Sequence, residues 1–432
     1  MTSSNRKSIR PKKGREDGWR VLQDRDFRLL WAGQAVAQVG DGLIKVALLW
    51  FVYKLTGSAM KMTFIGLLQT IPPLLLSPLI GVYLDRLPKK PVMIGADILR
   101  ATLLVLIPSL HGLNALSLEG LYALVFLIAV VGTAFGPALS ASVPLLVHPS
   151  KLTSANALIQ STATMGVILG PVISGTGMAF IGAQNMLYVG APAFLIAAGF
   201  LVPIHFHETT QKKVMTGAKS VWQDMVAGFR YVWTRQPAIR IMLAATALHS
   251  VVASAFVFLL PVFADQSLHV GPAELGWLWS AYGGGMLAAA AWLTLAKARS
   301  QDSQVGTVTF ALIIGAVAAG GLALIPAVWT GILLNGVIGI SLGMFTPVMW
   351  SLLQEMVPAD MRGRVFAMVS TIAMSASLIG MMAFGWSAEK FGATASLIGM
   401  AVTLGLTSLC ALLLKIHPLR SMPSPAHSQT VG

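Results

Sequence analysis

The sequence predicts an all-α integral membrane protein, with twelve transmembrane helices in two pseudo-symmetric six-helix bundles. Three observations lead there. Of 432 residues, 55% are hydrophobic and 11% charged, with a mean hydropathy of +0.74, whereas soluble domains carry about twice that share of charge. Apolar runs of roughly 20–30 residues, each enough to span a hydrocarbon core of about 30 Å, recur twelve times. The bases between those runs are lopsided: of 30 Lys and Arg, 25 fall on one side of the implied membrane and three (Lys54, Lys61 and Lys390) on the other, while Lys45 and Arg100 lie inside runs. By the positive-inside rule the rich side is cytoplasmic and both termini lie there, which makes this a multi-pass protein of the cell membrane.

Residues 1–28 form a basic tail with nine Lys and Arg, expected to stay unfolded and to be drawn to anionic lipid. No cleavable leader is expected, because the first run begins behind those bases and is too long for a signal segment. The first bundle, 29–206, holds runs at 29–53, 62–84, 92–111, 120–146, 152–181 and 184–204. Segment 207–238 is a polar linker in which Val221, Met225, Phe229 and Val232 recur at helical spacing, so 220–234 is expected to be an amphipathic helix on the cytoplasmic surface. The second bundle, 239–416, holds runs at 239–264, 275–296, 305–326, 330–354, 365–388 and 393–414, and 417–432 is a second cytoplasmic tail. Pro144-Leu145-Leu146-Val147-His148-Pro149 is echoed by Leu352-Leu353-Gln354-Glu355-Met356-Val357-Pro358, about 209 residues later (149 to 358), as expected of two parallel repeats.

Charge inside the runs marks the candidate chemistry. Gln34, Gln38, Asp41 and Lys45 fall at i, i+4, i+7 and i+11, on one face of the first helix. Buried charges cost roughly 2.5–3.5 kcal/mol each on insertion scales, so such a stripe faces a water-filled cavity or a partner. Asp41 and Lys45 are spaced to pair with each other, which leaves a structural reading open beside a proton-carrying one. Asp97 and Arg100 sit one turn apart near the start of the third run, where a structural network at the cytoplasmic mouth is the plainer role. His249, midway along the seventh run, titrates in a range suited to a relay, with hydrogen-bonded packing as the alternative. Phe135, Phe258, Trp279, Tyr282, Asn335 and Phe345 are candidates to line a substrate cavity, each with packing or lipid contact as the blander option.

Gly81-Val82-Tyr83-Leu84-Asp85-Arg86-Leu87-Pro88-Lys89-Lys90 resembles the loop between the second and third helices of the major facilitator superfamily, with Pro88 where the usual form has Gly. Pro88 and Pro91 are expected to stop helix continuation there. The resemblance implies that Gly81 lets two helices touch and that Asp85 meets a helix N-terminus of the opposite half. With Arg86, Lys89, Lys90, Asp97, Arg100, Arg362 and Arg364 they form an expected cytoplasmic gate. Gly166-Val167-Ile168-Leu169-Gly170-Pro171-Val172-Ile173-Ser174-Gly175 resembles the antiporter motif of the superfamily's exporters, though a glycine stripe alone more often means close packing. Arg28-Leu29-Leu30-Trp31-Ala32-Gly33-Gln34, Gly40-Asp41, Leu55-Thr56-Gly57-Ser58 and Arg362-Gly363-Arg364-Val365-Phe366 are similar to its macrolide-efflux and enterobactin-exporter branch. Many proton antiporters of the superfamily carry an Arg in the fourth helix; 120–146 has none, which shifts the coupling role toward Asp41, Lys45 and His249.

The expected function is proton-coupled efflux of a bulky amphipathic, drug- or macrolide-like molecule by a monomer bathed in membrane lipid. A siderophore exporter or lysolipid translocator is equally compatible. An intramembrane enzyme is disfavoured: His207-Glu208-Thr209-Thr210-Gln211 lacks the second His of a zinc helix, no nucleophile elbow or nucleotide loop occurs, and the one cysteine, Cys410, cannot build a thiolate metal site. No cofactor or metal is expected, and nucleic-acid binding is set aside because topology accounts for the charge of +14.

Overall fold

The computed structural model describes residues 19–84, 87–206, 237–295, 300–325 and 327–416. They are mainly helical, without strands among the described residues, in ten helical elements: α1 (Arg25–Thr56), α2 (Ala59–Leu84), α3 (Lys89–Gly112), α4 (Leu118–Leu146), α5 (Leu152–Leu201), α6 (Pro237–Gln266), α7 (Pro272–Leu295), α8 (Gln301–Leu324), α9 (Val328–Met356) and α10 (Ala359–Ile416). Nine helical stretches among the described residues are long and apolar enough to cross a membrane. Apolar side chains also cover the outer surface: Phe180, Val317 and Trp329 are each at least 70% exposed, as lipid contact requires.

Ten helices stand where twelve were expected, because two pairs of runs are joined without a loop. A straight helix of 50 residues such as α5 would be about 75 Å long, far beyond one bilayer crossing. α5 is instead broken at Gly182 (φ 80°, ψ 161°) and α10 at Gly392 (φ 84°, ψ 169°), a region of backbone space open essentially to glycine alone. The two breaks lie 210 residues apart (182 to 392), the same register as the Pro149 and Pro358 echo.

Two expected boundaries move. A short 3₁₀ turn, Trp19–Gln23, precedes α1, which starts at Arg25; fully buried Val21 packs with Phe27, Leu30 and Leu201, so structure begins inside the expected tail. α3 begins at Lys89 with Pro88 as its N-cap, which places Pro91 in the first turn, where a missing N–H costs nothing. Pro91 therefore helps to start a helix rather than to stop one. The amphipathic helix expected at 220–234 lies outside the described residues.

The packing repeats. α1 lies along α5, α2 against α4, and α3 against α4 and α5; in the same way α6 lies along α10, α7 against α9, and α8 against α9 and α10. Across the interval 207–236 the main contacts are α5 with α7 and α2 with α10, and α1 and α2 also touch α6.

Candidate functional site

One side of α1 is built for contact and the other for chemistry. Gly40 and Gly42 face α5 so closely that a methyl group added at Gly170 would come within 2.7 Å of the Gly42 Cα. Gly166 meets Gln38 in the same way, and further along α5 Gly175 abuts Gly276 of α7, while Pro171 lines a cavity. The motif glycines thus let α5 touch α1 on one flank and α7 on the other. With its small residues spent on α5, α1 turns the stripe Gln34, Gln38, Asp41 and Lys45 inward.

Two cavities meet at that stripe. The first, about 460 Å³, is lined by all four stripe residues with Gln69 of α2, Asp97 and Arg100 of α3 and Phe135 of α4. The second, about 340 Å³, shares Gln38, Asp41 and Lys45 and continues across α6 and α7 through Phe256, Trp279 and Tyr282. Gln38, Asp41 and Lys45 are the common wall.

Asp41 does not pair with Lys45 as its spacing allows. It forms an ion pair with Arg100, 59 residues away on α3, whose guanidinium also lies over the Phe194 ring at 4.1 Å. A guanidinium presents a planar fork that suits a carboxylate better than a point-like ammonium does. Lys45 turns across the interior instead, its Nζ 4.6 Å from the centre of the Phe258 ring and 5.9 Å from that of Trp279. This cation–π contact gives Phe258 a role different from the expected lining one. Asp97 is fully buried, and neither of its carboxylate oxygens has a hydrogen-bond partner; the Nε of Arg100 is buried and unpartnered too. Both residues border the first cavity, where Arg100 is engaged with Asp41. Arg362 donates to the carbonyl of Val357, Arg364 approaches the sulfur of Met361, and Lys90 donates to the carbonyls of Val202 and Ile204. Lys89 donates to Leu87 O. Asp85 and Arg86 lie outside the described residues, and Gly81 is placed within α2.

His249 and Phe345 belong elsewhere. Their rings stack 4.2 Å apart in a third cavity, about 350 Å³, between α6, α9 and α10, where His249 Nε2 bonds Leu342 O. Neither residue lines the cavities at Asp41. Asn335 is buried and donates to Gly331 O within α9, as a packing residue does.

Sequence reading missed a set of contacts between the two halves at one end. Tyr53 Oη donates to Asp265 (3.0 Å), Lys54 Nζ pairs with the same carboxylate (2.5 Å), and the Met60 amide donates to Glu389 (3.3 Å). These three contacts, among the described residues, join α1 and α2 to α6 and α10. The signal present was opposite charge on Lys54 and Asp265 at corresponding helix ends.

Residues 17–430 match the family model described as "Transmembrane secretion effector". The multidrug efflux pump Tap of Mycolicibacterium fortuitum is 27% identical over 394 residues, covering 88% of this chain and 93% of that protein. Macrolide efflux protein A of Streptococcus pyogenes is 24% identical, covering 85% and 90%. Among solved structures, a bacterial homologue of the human lysosomal transporter Spinster in an inward-facing, unoccupied conformation has a TM-score of 0.69 at 14% identity, covering 96% of this chain and 100% of that one. A bacterial homologue of the iron transporter ferroportin in an inward-facing state has a TM-score of 0.69 at 16% identity, covering 90% and 98%. At such identities these structures speak for the fold.

Proposed function

This chain belongs to the transmembrane secretion effector family of the major facilitator superfamily, a family of transporters, and from that premise we propose that it expels a bulky amphipathic, drug-like molecule from the cell in exchange for protons. The observation that carries the reading is the wall of Gln38, Asp41 and Lys45 shared by two cavities, because one set of polar groups there meets whatever occupies either space. Phe135 on one side and Phe256, Trp279 and Tyr282 on the other offer ring faces to an apolar body, while Gln38 offers both donor and acceptor.

Coupling rests on the Asp41–Arg100 pair. A proton arriving at Asp41 cancels the charge that holds Arg100, so α1 and α3 lose a contact at the moment the cavity wall changes its polarity. An ion and a substrate that bias one element this way are linked in free energy, as exchange demands. Access alternates as residues 29–206 and 239–416 rock against each other, with Tyr53, Lys54 and Asp265 latching the outer end. Both termini lie in the cytoplasm, by the excess of bases on that side.

Liposomes containing the purified protein should concentrate radiolabelled erythromycin when a pH gradient is imposed and stop when an ionophore collapses it. Accumulation that ignores the gradient would remove proton exchange. Movement of a catecholate siderophore or a lysophospholipid, with none of the macrolide, would replace the drug-like cargo.

A further inference from the structure

We propose that Arg100 alternates between two carboxylates, Asp41 and Asp97, and that Asp97 receives the guanidinium while Asp41 carries a proton. The inference rests on Asp41 being the exchanging site and adds a second carboxylate to it.

On α3, three buried polar positions are left over when Arg100 sits on Asp41: both oxygens of Asp97 and the Nε of Arg100. Native interiors leave few such groups, and an uncompensated one calls for a specific account. Here the orphans are complementary. One is an acceptor and the other a donor on the same charged pair of side chains, at i and i+3 of α3, whose Cβ atoms on a helix lie about 5–6 Å apart. A change of rotamer at Arg100 brings them together without moving the backbone. What keeps them apart is the stronger claim of Asp41, and a proton on Asp41 removes it.

The surroundings make Arg100 the one cation for which these acids compete. α1 brings Asp41 and Lys45, but the Lys45 ammonium lies over Phe258 and Trp279. α2 brings uncharged Gln69 to the cavity. α5 carries no Asp, Glu, Lys, Arg or His along its length, and α4 carries only Glu119, in its first turn. Gly132 and the face of Phe194 leave room for the guanidinium to turn, the ring attracting it in either position. In the cycle that follows, the proton reaches Asp41, Arg100 transfers to Asp97, the helices repack, and loss of the proton to the other side calls Arg100 back.

The test uses the full chain in liposomes, with Cys410→Ser and nitroxides at Lys61 and His269, both exposed beside the latched end. The fraction of molecules open at that end is read from label distances as pH is varied. Asp97→Asn and Arg100→Gln should each shrink the pH-dependent change by about fivefold or more, the double variant should be no worse than either single one, and Asp97→Glu should restore the response. If Asp97→Asn responds to pH like the parent protein while Asp41→Asn does not, Asp97 is no partner and Asp41 still exchanges. Additive losses in the double variant also overturn the alternation, since the two residues would then act separately. A response that survives Asp41→Asn overturns the underlying reading of Asp41 together with this one. Should Asp97→Asn fail to fold, Asp97→Ser, which also removes the carboxylate, supplies the same comparison.

Discussion

Lys54 and Asp265 meet 2.5 Å apart at the ends of α1 and α6, and they are 211 residues apart in the chain. Their side chains are 50% and 34% exposed, so the pair is partly solvated and worth about 0.2–1 kcal/mol. Asp265→Asn should therefore shift the closed-to-open ratio at this end by up to about fivefold, and added salt should loosen the parent protein in the same direction. Spin-label distances between positions 61 and 269 report it. Exchanging the charges, Lys54→Asp with Asp265→Lys, should recover closure; equal loosening in the exchanged and single variants would mean that the pair is no latch.

Asp41→Asn keeps the shape of the shared wall and removes its exchangeable charge. The variant should bind erythromycin yet fail to accumulate it against a pH gradient in liposomes. Lys45→Ala should remain coupled, because Arg100 and not Lys45 holds Asp41. Gradient-driven accumulation by Asp41→Asn would reduce Asp41 to a structural partner of Arg100.

Gly170→Val places a branched side chain where α1 and α5 already touch. Overpacking of this kind costs about 1–3 kcal/mol. The melting temperature of the detergent-purified protein should fall, whereas Gly199→Ala, which meets nothing within 4 Å, should leave it unchanged. Equal behaviour of the two variants would show that the contact is loose in the membrane protein.

Trp279 and His249 sit in different cavities, which separates their phenotypes. Trp279→Ala should raise the erythromycin concentration needed for half-maximal transport by about tenfold, through loss of ring stacking and of the cation–π contact of Lys45. His249→Ala should keep proton-driven transport. The reverse pattern would move the cargo to the third cavity.

The spans were legible because the hydrocarbon core imposes a length, and the bases between them because insertion sorts charge. Gly182 and Gly392 fall in the expected gaps between runs, 181 to 184 and 388 to 393, for the same reason. The partner of Asp41 was not legible. Arg100 is 59 residues away, and the meeting depends on how α1 is rotated by its glycines and α3 by Pro91. Starting α3 at Lys89 rather than at 92 also carries Asp97 and Arg100 nearly a turn deeper, from the mouth into the cavity. His249 looked like a relay by residue type alone, which carries no information about which cavity it borders.

The break at Gly182 has a consequence for how the chain is made. A connection of one residue leaves no polar loop for the insertion machinery to hold, and α5 has no charged side chain of its own by which either arm could be oriented. Entry of the two arms as a single hairpin is the expected consequence. Their direction is then dictated by what flanks them: Lys151, anchored to Asp24 beside the start of α1, and Lys90, clasping the carbonyls of Val202 and Ile204 at the far end. Biogenesis of this segment is thereby tied to neighbours synthesised before it.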